Sequence, residues 1–228
     1  VSTTSLPIEE VIELYINGKR YAQLLCTPTH LTDLAIGLLA SHGIITEFKR
    51  VVSIAADDTA GTINIRLPVD SSKLPDSNLA QTEQIPVVET PFSVVIDDLP
   101  EIIAGMHARF NGLVNHAGMH CGCLVSPNLN DNIVFRYDVG RHNVVDKLIG
   151  TAIRRTYNLR QSILAISGRI SSEIVIKAAR AGIPVIITEK SITTLATVQA
   201  EAAGIALVGR INRNNRIIAG ASARFADV

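Results

Sequence analysis

Asp138-Val-Gly-Arg-His-Asn-Val-Val-Asp-Lys147 joins an extended run to a helix through a glycine. It follows an apolar extended run, Ile133 to Tyr137. It then opens a helical pattern with Val145, Leu148, Ile149, Ala152 and Ile153 on one face. A strand, a glycine turn and a helix start are thus packed together, with Arg141, His142 and Lys147 around the helix N-terminus. Free N–H groups and the positive end of the helix dipole favour an anion there, and nearby cations add to that. Gly140 lets the backbone turn sharply and approach a ligand closely. The plainer alternative is a surface helix whose Asp146 and Lys147 are merely solvated.

Working outward, Cys121–Val125 is expected to pair with Ile133–Tyr137 as a hairpin around a Pro-Asn-Leu-Asn-Asp-Asn turn. Downstream, strands are expected at Ser162–Ser167, Ile183–Thr188 and Ile205–Val208, with a short one near Arg216–Ala219. Helices are expected over Ser171–Ala181 and Leu195–Ala203. Such alternation implies βαβ units and a largely parallel sheet. The connections 138–147, 167–172 and 188–194 hold the polar residues, and in an open α/β sheet they converge at the carboxyl ends of the strands. There Arg141 and Arg169 can fork onto phosphate oxygens, and Lys147 can supply a point charge. Ser167, Ser171 and Thr193 can donate hydrogen bonds beside the Gly168 turn. A nucleotide-type anion site is the favoured reading. Neither G-x-x-x-x-G-K-[ST] nor G-x-G-x-x-G occurs, which argues against a common NTPase or a typical dinucleotide fold.

Before this core, Val11–Ile16 and Tyr21–Cys26 flank Asn17-Gly18, a hairpin turn signal. A helix is expected from Thr32 to His42, stopped by Gly43, and a second hairpin from Val51–Ala56 and Thr62–Leu67. Val69 to Gln84 is rich in Ser, Asp, Asn and Pro and reads as a mobile loop. A further helix, capped by Asp97 or Asp98 with Pro100 in its first turn, runs to Phe110. The expected organisation is a β-rich subdomain over residues 1–90, containing loop 69–84, and an α/β core over 91–228.

Composition narrows the class. The chain is 47% apolar and 18% charged with zero net charge, so no global field draws it to nucleic acid or an acidic membrane. No apolar run reaches the ~20 residues that span a bilayer, and Val1 to Pro7 has no basic-then-apolar signal pattern. An odd count of three cysteines suits a reducing cytoplasm. Gly118-Met-His-Cys-Gly-Cys-Leu124 concentrates thiol and imidazole. On a strand, however, Cys121 and Cys123 face one side and His120 the other, so they cannot share one ion, and a zinc site would lack partners. Buried packing cysteines are the alternative, and for His116 and His120 satisfied loop histidines are the alternative to pocket residues.

On Asp138–Lys147, with Gly118-Met-His120, Ser167-Gly-Arg-Ile-Ser171, Lys177-Ala-Ala179, Ala181-Gly-Ile-Pro184 and Thr193-Thr-Leu-Ala196 in collinear order, the chain resembles the FdhD/NarQ family, the accessory sulfurtransferases of formate dehydrogenase. The resemblance implies a cytoplasmic homodimer with a cytidine-deaminase-like mixed sheet. It implies persulfide sulfur taken from a cysteine desulfurase, and the molybdenum bis(guanine dinucleotide) cofactor bound as cargo for formate dehydrogenase. His120, Arg141, His142, Asp146, Lys147, Ser167, Gly168, Arg169, Ser171 and Thr193 are the residues expected around that cargo. Zinc deaminases carry H-x-E and P-C-x-x-C; Arg141-His-Asn143 and Ser167-Gly-Arg-Ile-Ser171 stand at the comparable places, so deamination and a structural zinc are not expected. The family usually also carries C-G-x-C-G in its mobile loop, whereas residues 69–84 contain no cysteine. Either the carrier thiol has moved, or the chain binds cofactor without transferring sulfur. A moved carrier would be Cys121 or Cys123. Cys121 is preferred because it lies nearer His120 and, at the strand start, is expected to be less enclosed.

Overall fold

A computed structural model describes residues 6–57, 59–70, 74–75, 85–113, 117–126 and 134–226. Most of the expected loop at 69–84, His116 and the turn at 127–132 lie outside the described residues.

The N-terminal hairpin forms β1 (Glu10–Ile16) and β2 (Lys19–Cys26). Asn17 and Gly18 take φ values of 50° and 80°, the left-handed pair that a two-residue turn requires. After α1 (Leu31–Ser41), β3 (Ser53–Asp57) and β4 (Thr62–Arg66) complete a four-stranded sheet ordered β2-β1-β4-β3. Asn17 also ties its turn to the end of β4, donating to Leu67 O at 3.1 Å and accepting from Leu67 N at 2.9 Å.

The larger sheet is ordered β11-β10-β9-β8-β6-β7. Its strands are β6 (His120–Val125), β7 (Val134–Asp138), β8 (Ile163–Ile166), β9 (Val185–Thr188), β10 (Ala206–Gly209) and β11 (Ile217–Gly220). β8, β9 and β10 are parallel, β6 is antiparallel to β7 and β8, and β11 is antiparallel to β10. The sheet is therefore mixed, with β7, β8, β9 and β10 pointing the same way. The crossovers between these four strands run through α3 (Arg141–Arg154), α4 (Ser172–Ala181) and α5 (Thr194–Ala203). Because the strands are visited in one direction across the sheet, right-handed crossovers put all three helices on one face. α2 (Leu99–Asn111) covers the other face, together with β5 (Val94–Val95), which pairs with β12 (Phe225–Ala226).

The alternation of each strand sorts its side chains between these faces. Cys121 and Cys123 point with Ala165, Ile187 and Val208 into the cluster under α2. Between them Gly122 faces α3, where a Cβ would stand 2.9 Å from both Val144 Cγ1 and Ala165 O. On the three-helix face, one continuous apolar cluster runs from Leu14 and Ile63 through α1 to Leu148, Leu164 and Ile186. α1 and α3 cross there in backbone contact. A Cβ on Gly37 would fall 1.7 Å from Asp146 O, and one on Gly150 would fall 1.9 Å from Asp33 O. Only glycine fits at these two positions.

A candidate anion site at the strand ends

Because β7 to β10 share one direction, the loops after Asp138, Ile166, Thr188 and Gly209 emerge at the same edge of the sheet. β6 runs the other way, so its first residue, His120, reaches that edge opposite Asp138. A parallel bridge between Ile170 and Ile192, with Thr193 N donating to Ile170 O at 3.0 Å, fastens two of the loops together. A cation follows each of the four strands: Arg141, Arg169, Lys190 and Arg210. At the opposite end of the sheet an apolar cavity of about 640 Å³ is lined by Val94, Leu99, Ile102, Val125 and Ile163. The four cations that follow the strands therefore gather at one edge, while Ser93, Asp98 and Glu101 are the polar residues lining the cavity at the other.

At the centre of that edge Arg141 lies over Gly168, whose hypothetical Cβ would be 3.0 Å from Arg141 Cδ and 3.5 Å from His120 Nδ1. Arg141 Nε is buried and has no hydrogen-bond acceptor among the described residues. A buried donor without a partner costs about 1–3 kcal/mol, so this one is poised for an acceptor supplied from outside. Ser167 Oγ accepts from Cys121 N at 2.9 Å and stands 3.5 Å from His120 Nδ1. Arg169 is exposed beside them. Burial, then Arg141, pushes the His120 imidazole below its ordinary pKa.

One turn along the edge, His142 Nε2 is 3.3 Å from Ser171 Oγ and His142 Nδ1 is 3.2 Å from Glu173 Oε2. Burial, followed by the charges of Arg141 and Lys177, holds His142 down at about 4. It is therefore neutral at pH 7. Ser171 is the N-cap of α4, yet its side chain makes no capping bond. Thr193, at the start of α5, does cap, accepting from Ala196 N at 3.4 Å. On the α2 side of the edge, His107 Nε2 stands 3.3 Å from Glu189 Oε2.

The structure thus brings His120, Arg141, His142, Ser167, Gly168, Arg169, Ser171 and Thr193 to one edge. It does not bring Asp146 and Lys147 there. Both turn inward along α3, and both are buried. Lys147 Nζ pairs with Asp138 Oδ2 at 2.6 Å and donates to Thr27 O at 2.9 Å. Asp138 also accepts from Gly140 N at 2.8 Å and Asn143 Nδ2 at 2.9 Å. Asp146 accepts from Ser41 Oγ and Lys177 Nζ, each at 2.6 Å. The expected point charge of Lys147 is spent on a turn-closing ion pair, because six residues into α3 the side chain faces the β2–α1 connection at Thr27 and not the crevice. Lys177 enters the sequence reading only through the Lys177-Ala-Ala179 motif and Glu173 not at all; their i,i+4 spacing just after Ser171 is the signal that pairs them.

The thiols are closed off. Cys121 and Cys123 are each 1% exposed, so neither sulfur meets solvent, although burial weighs less on Cys121 than on Cys123. Burial pushes Cys121 up to about 11, with the Ser167 hydrogen bond opposing, and Cys123 up to about 12. Cys26, at the end of β2, is driven up to about 12 by burial and by Asp138.

Comparison with known proteins matches this arrangement to relatives over almost the whole chain. The profile of the FdhD/NarQ family matches residues 7–225. A sulfur carrier protein FdhD from Staphylococcus aureus (strain MRSA252) is 34% identical over 227 residues, covering 92% of this chain and 85% of its own. One from Geobacillus kaustophilus is 28% identical over 221 residues, covering 90% and 83%. The fold is that of a crystal structure of a candidate formate dehydrogenase accessory protein from Desulfotalea psychrophila. That structure gives a TM-score of 0.76 at 23% identity, covering 97% of this chain and 90% of that one. With its helix-start motif, crossover helices and polar strand edge all inside the matched span, the chain belongs to the FdhD/NarQ family.

Proposed function

We propose that the chain is a sulfur-carrier-type accessory protein of formate dehydrogenase, and that its polar strand edge holds the molybdenum bis(guanine dinucleotide) cofactor as cargo by its phosphates. The first half is supported by the sulfur-carrier names of its relatives and by the formate dehydrogenase accessory protein that shares its fold. The second half rests on one observation above all, the buried and unpartnered Nε of Arg141 over Gly168. A pyrophosphate oxygen supplies the missing acceptor, and Arg169 and the start of α4 offer further donors to the same group. The donor set fits the cargo. In this reading the partners are formate dehydrogenase, a cysteine desulfurase and a second copy of the chain, in the cytoplasm.

Of the two services, holding cofactor and carrying sulfur, the geometry favours holding. A thiol at about 11 is ionised to roughly one part in ten thousand at pH 7, and the thiolate is the reactive form. Sulfur carriage is the second reading, favoured by the relatives' names and by Cys121 lying against Ser167 at the polar edge. It requires β6 to open at its first residues.

Calorimetry tests the first reading: guanosine diphosphate should bind and guanosine should bind at least tenfold more weakly. Equal affinities would remove the phosphate site. For the second, wild type, Cys121→Ala and Cys123→Ala are incubated with a cysteine desulfurase and cysteine, then weighed intact. A ~32 Da adduct that disappears in Cys121→Ala supports carriage by that thiol. An unmodified wild type that still binds the nucleotide leaves cofactor holding alone.

A further inference from the structure

The contacts of His142 have a chemical meaning that anion binding does not use. Its Nδ1 faces the Glu173 carboxylate at 3.2 Å and its Nε2 faces the Ser171 hydroxyl at 3.3 Å. In the tautomer with the proton on Nδ1, that proton lies toward the carboxylate and the Nε2 lone pair lies toward Ser171 Oγ–H. Glu173 is itself held. Lys177 Nζ lies 3.8 Å from Glu173 Oε1 and is anchored at 2.6 Å on buried Asp146, which accepts from Ser41 Oγ. A serine, an imidazole and a carboxylate therefore stand in the order in which a nucleophile, its base and the group that orients the base are arranged.

Two more features complete the arrangement. Ser171 occupies an N-cap without capping, so its hydroxyl is committed to His142 and not to the helix. The first backbone bond into α4 is Val175 N to Ser171 O, which leaves the N–H groups of Ser172, Glu173 and Ile174 ahead of it. Such N–H groups beside a nucleophile are suited to an oxyanion. Ser171, His142 and Glu173 are all partly exposed, so a small substrate can reach them. Arg141, next to His142 and with Nε unpartnered, selects for negative charge on that substrate.

We propose that Ser171, His142 and Glu173 form an acyl-transfer triad at the strand edge, acting on small esters that carry an anionic group. Ser171 Oγ attacks the ester carbonyl, its proton passes to His142 Nε2, and the carbonyl carbon–oxygen bond to the leaving alcohol breaks. The alcohol departs with that proton, and the acyl group stays on Ser171. Water then attacks the acyl carbonyl and gives its proton to Nε2. Release of the acid returns a proton to Oγ, so the net reaction is ester plus water to acid plus alcohol. Ser171 and His142 are the catalytic residues. Glu173 positions His142.

This inference stands on three side chains and does not depend on the cofactor reading, so its test contains no nucleotide. The protein is mixed with 4-nitrophenyl hydrogen succinate or 4-nitrophenyl acetate, and separately with a fluorophosphonate probe followed by intact mass and peptide mapping. The triad predicts a burst near one nitrophenolate per chain with the anionic ester, a lower rate with the neutral one, and a single adduct on Ser171. Ser171→Ala, checked for an unchanged melting temperature, should lose the adduct and at least about 100-fold in rate. Glu173→Gln should slow the reaction and move the acid limb of kcat/KM to lower pH, since the imidazolium loses its carboxylate; a merely structural role would leave that limb in place. No burst and no adduct, an adduct on another serine, or full activity in Ser171→Ala would each overturn the proposal.

Discussion

At the residue scale, the ten residues from Asp138 to Lys147 divide by where their side chains go. Asp138, Asn143 and Lys147 close the turn and lock it onto Leu25 in β2 and Thr27 just after it, while Arg141 and His142 face the crevice. Removing one member of a buried ion pair leaves the other charged and unpaired, which costs about 3–5 kcal/mol. Lys147→Met is therefore expected to lower the unfolding free energy by that scale, and the denaturation midpoint with it, far more than Arg169→Ala, whose side chain is exposed. Urea melts compare them; equal midpoints would return Lys147 to the solvated helix surface. The buried thiols give a second expectation. An aromatic disulfide reagent should modify none of the three cysteines of the native protein within minutes, and all three once it is unfolded. One fast thiol under native conditions would restore a carrier cysteine to the resting structure.

At the element scale the decisive contact is the α1–α3 crossing, where Gly37 and Gly150 let one helix backbone rest on the other. Gly37→Ala and Gly150→Ala should each destabilise by roughly 3 kcal/mol or more, since the neighbour is backbone and cannot rotate away. A soluble variant with wild-type melting would contradict that crossing. The elements themselves were legible in the sequence. The hairpin at Asn17-Gly18, the crossover helices and the stop at Gly43 all follow from local signals, with Gly18 and Gly43 at positive φ. The edge cluster was legible for the same reason, because each loop carries its own cation or hydroxyl. Less legible were pairings made by distant chain segments. Lys147 meets Thr27 across 120 positions, Asp146 meets Ser41 across 105, and α2 closes over the two cysteines. Periodicity says which face is apolar; it does not say which element will lie on it.

At the scale of the whole molecule, neutral net charge coexists with a local row of cations, so attraction to an anion is short-ranged and salt-sensitive only near the edge. No helix among the described residues is long and apolar enough to cross a membrane. The histidines make stability depend on pH. His142 is depressed from 6.5 to about 4, and His30 and His120 are lowered as well, each chiefly by burial. The unfolded chain therefore binds more protons than the native one below pH 6.5, and stability falls as pH drops from there toward 4. Asp33, held below its usual range by Arg136, Thr151 and Arg154 against the opposing effect of burial, extends the loss to lower pH. Asp146, pushed up by burial, works the other way. For His142 alone the loss at pH 5 is about 2 kcal/mol, reduced to about 1 by partial exposure. Thermal melts at pH 7 and pH 5 should show a lower melting temperature at pH 5, with the gap narrowed in His142→Gln; a melting temperature that rises on acidification would reverse the sign.

Whether phosphates bind at the strand edge is decided by a calorimetric titration of wild type and Arg141→Ala with guanosine diphosphate at one salt concentration. Loss of a charge-assisted hydrogen bond from a buried donor predicts affinity weaker by about 1.5–3 kcal/mol, roughly 10- to 150-fold, with the melting temperature of the free protein little changed. Indistinguishable titrations of the two proteins would mean that the strand edge is not where the phosphates bind.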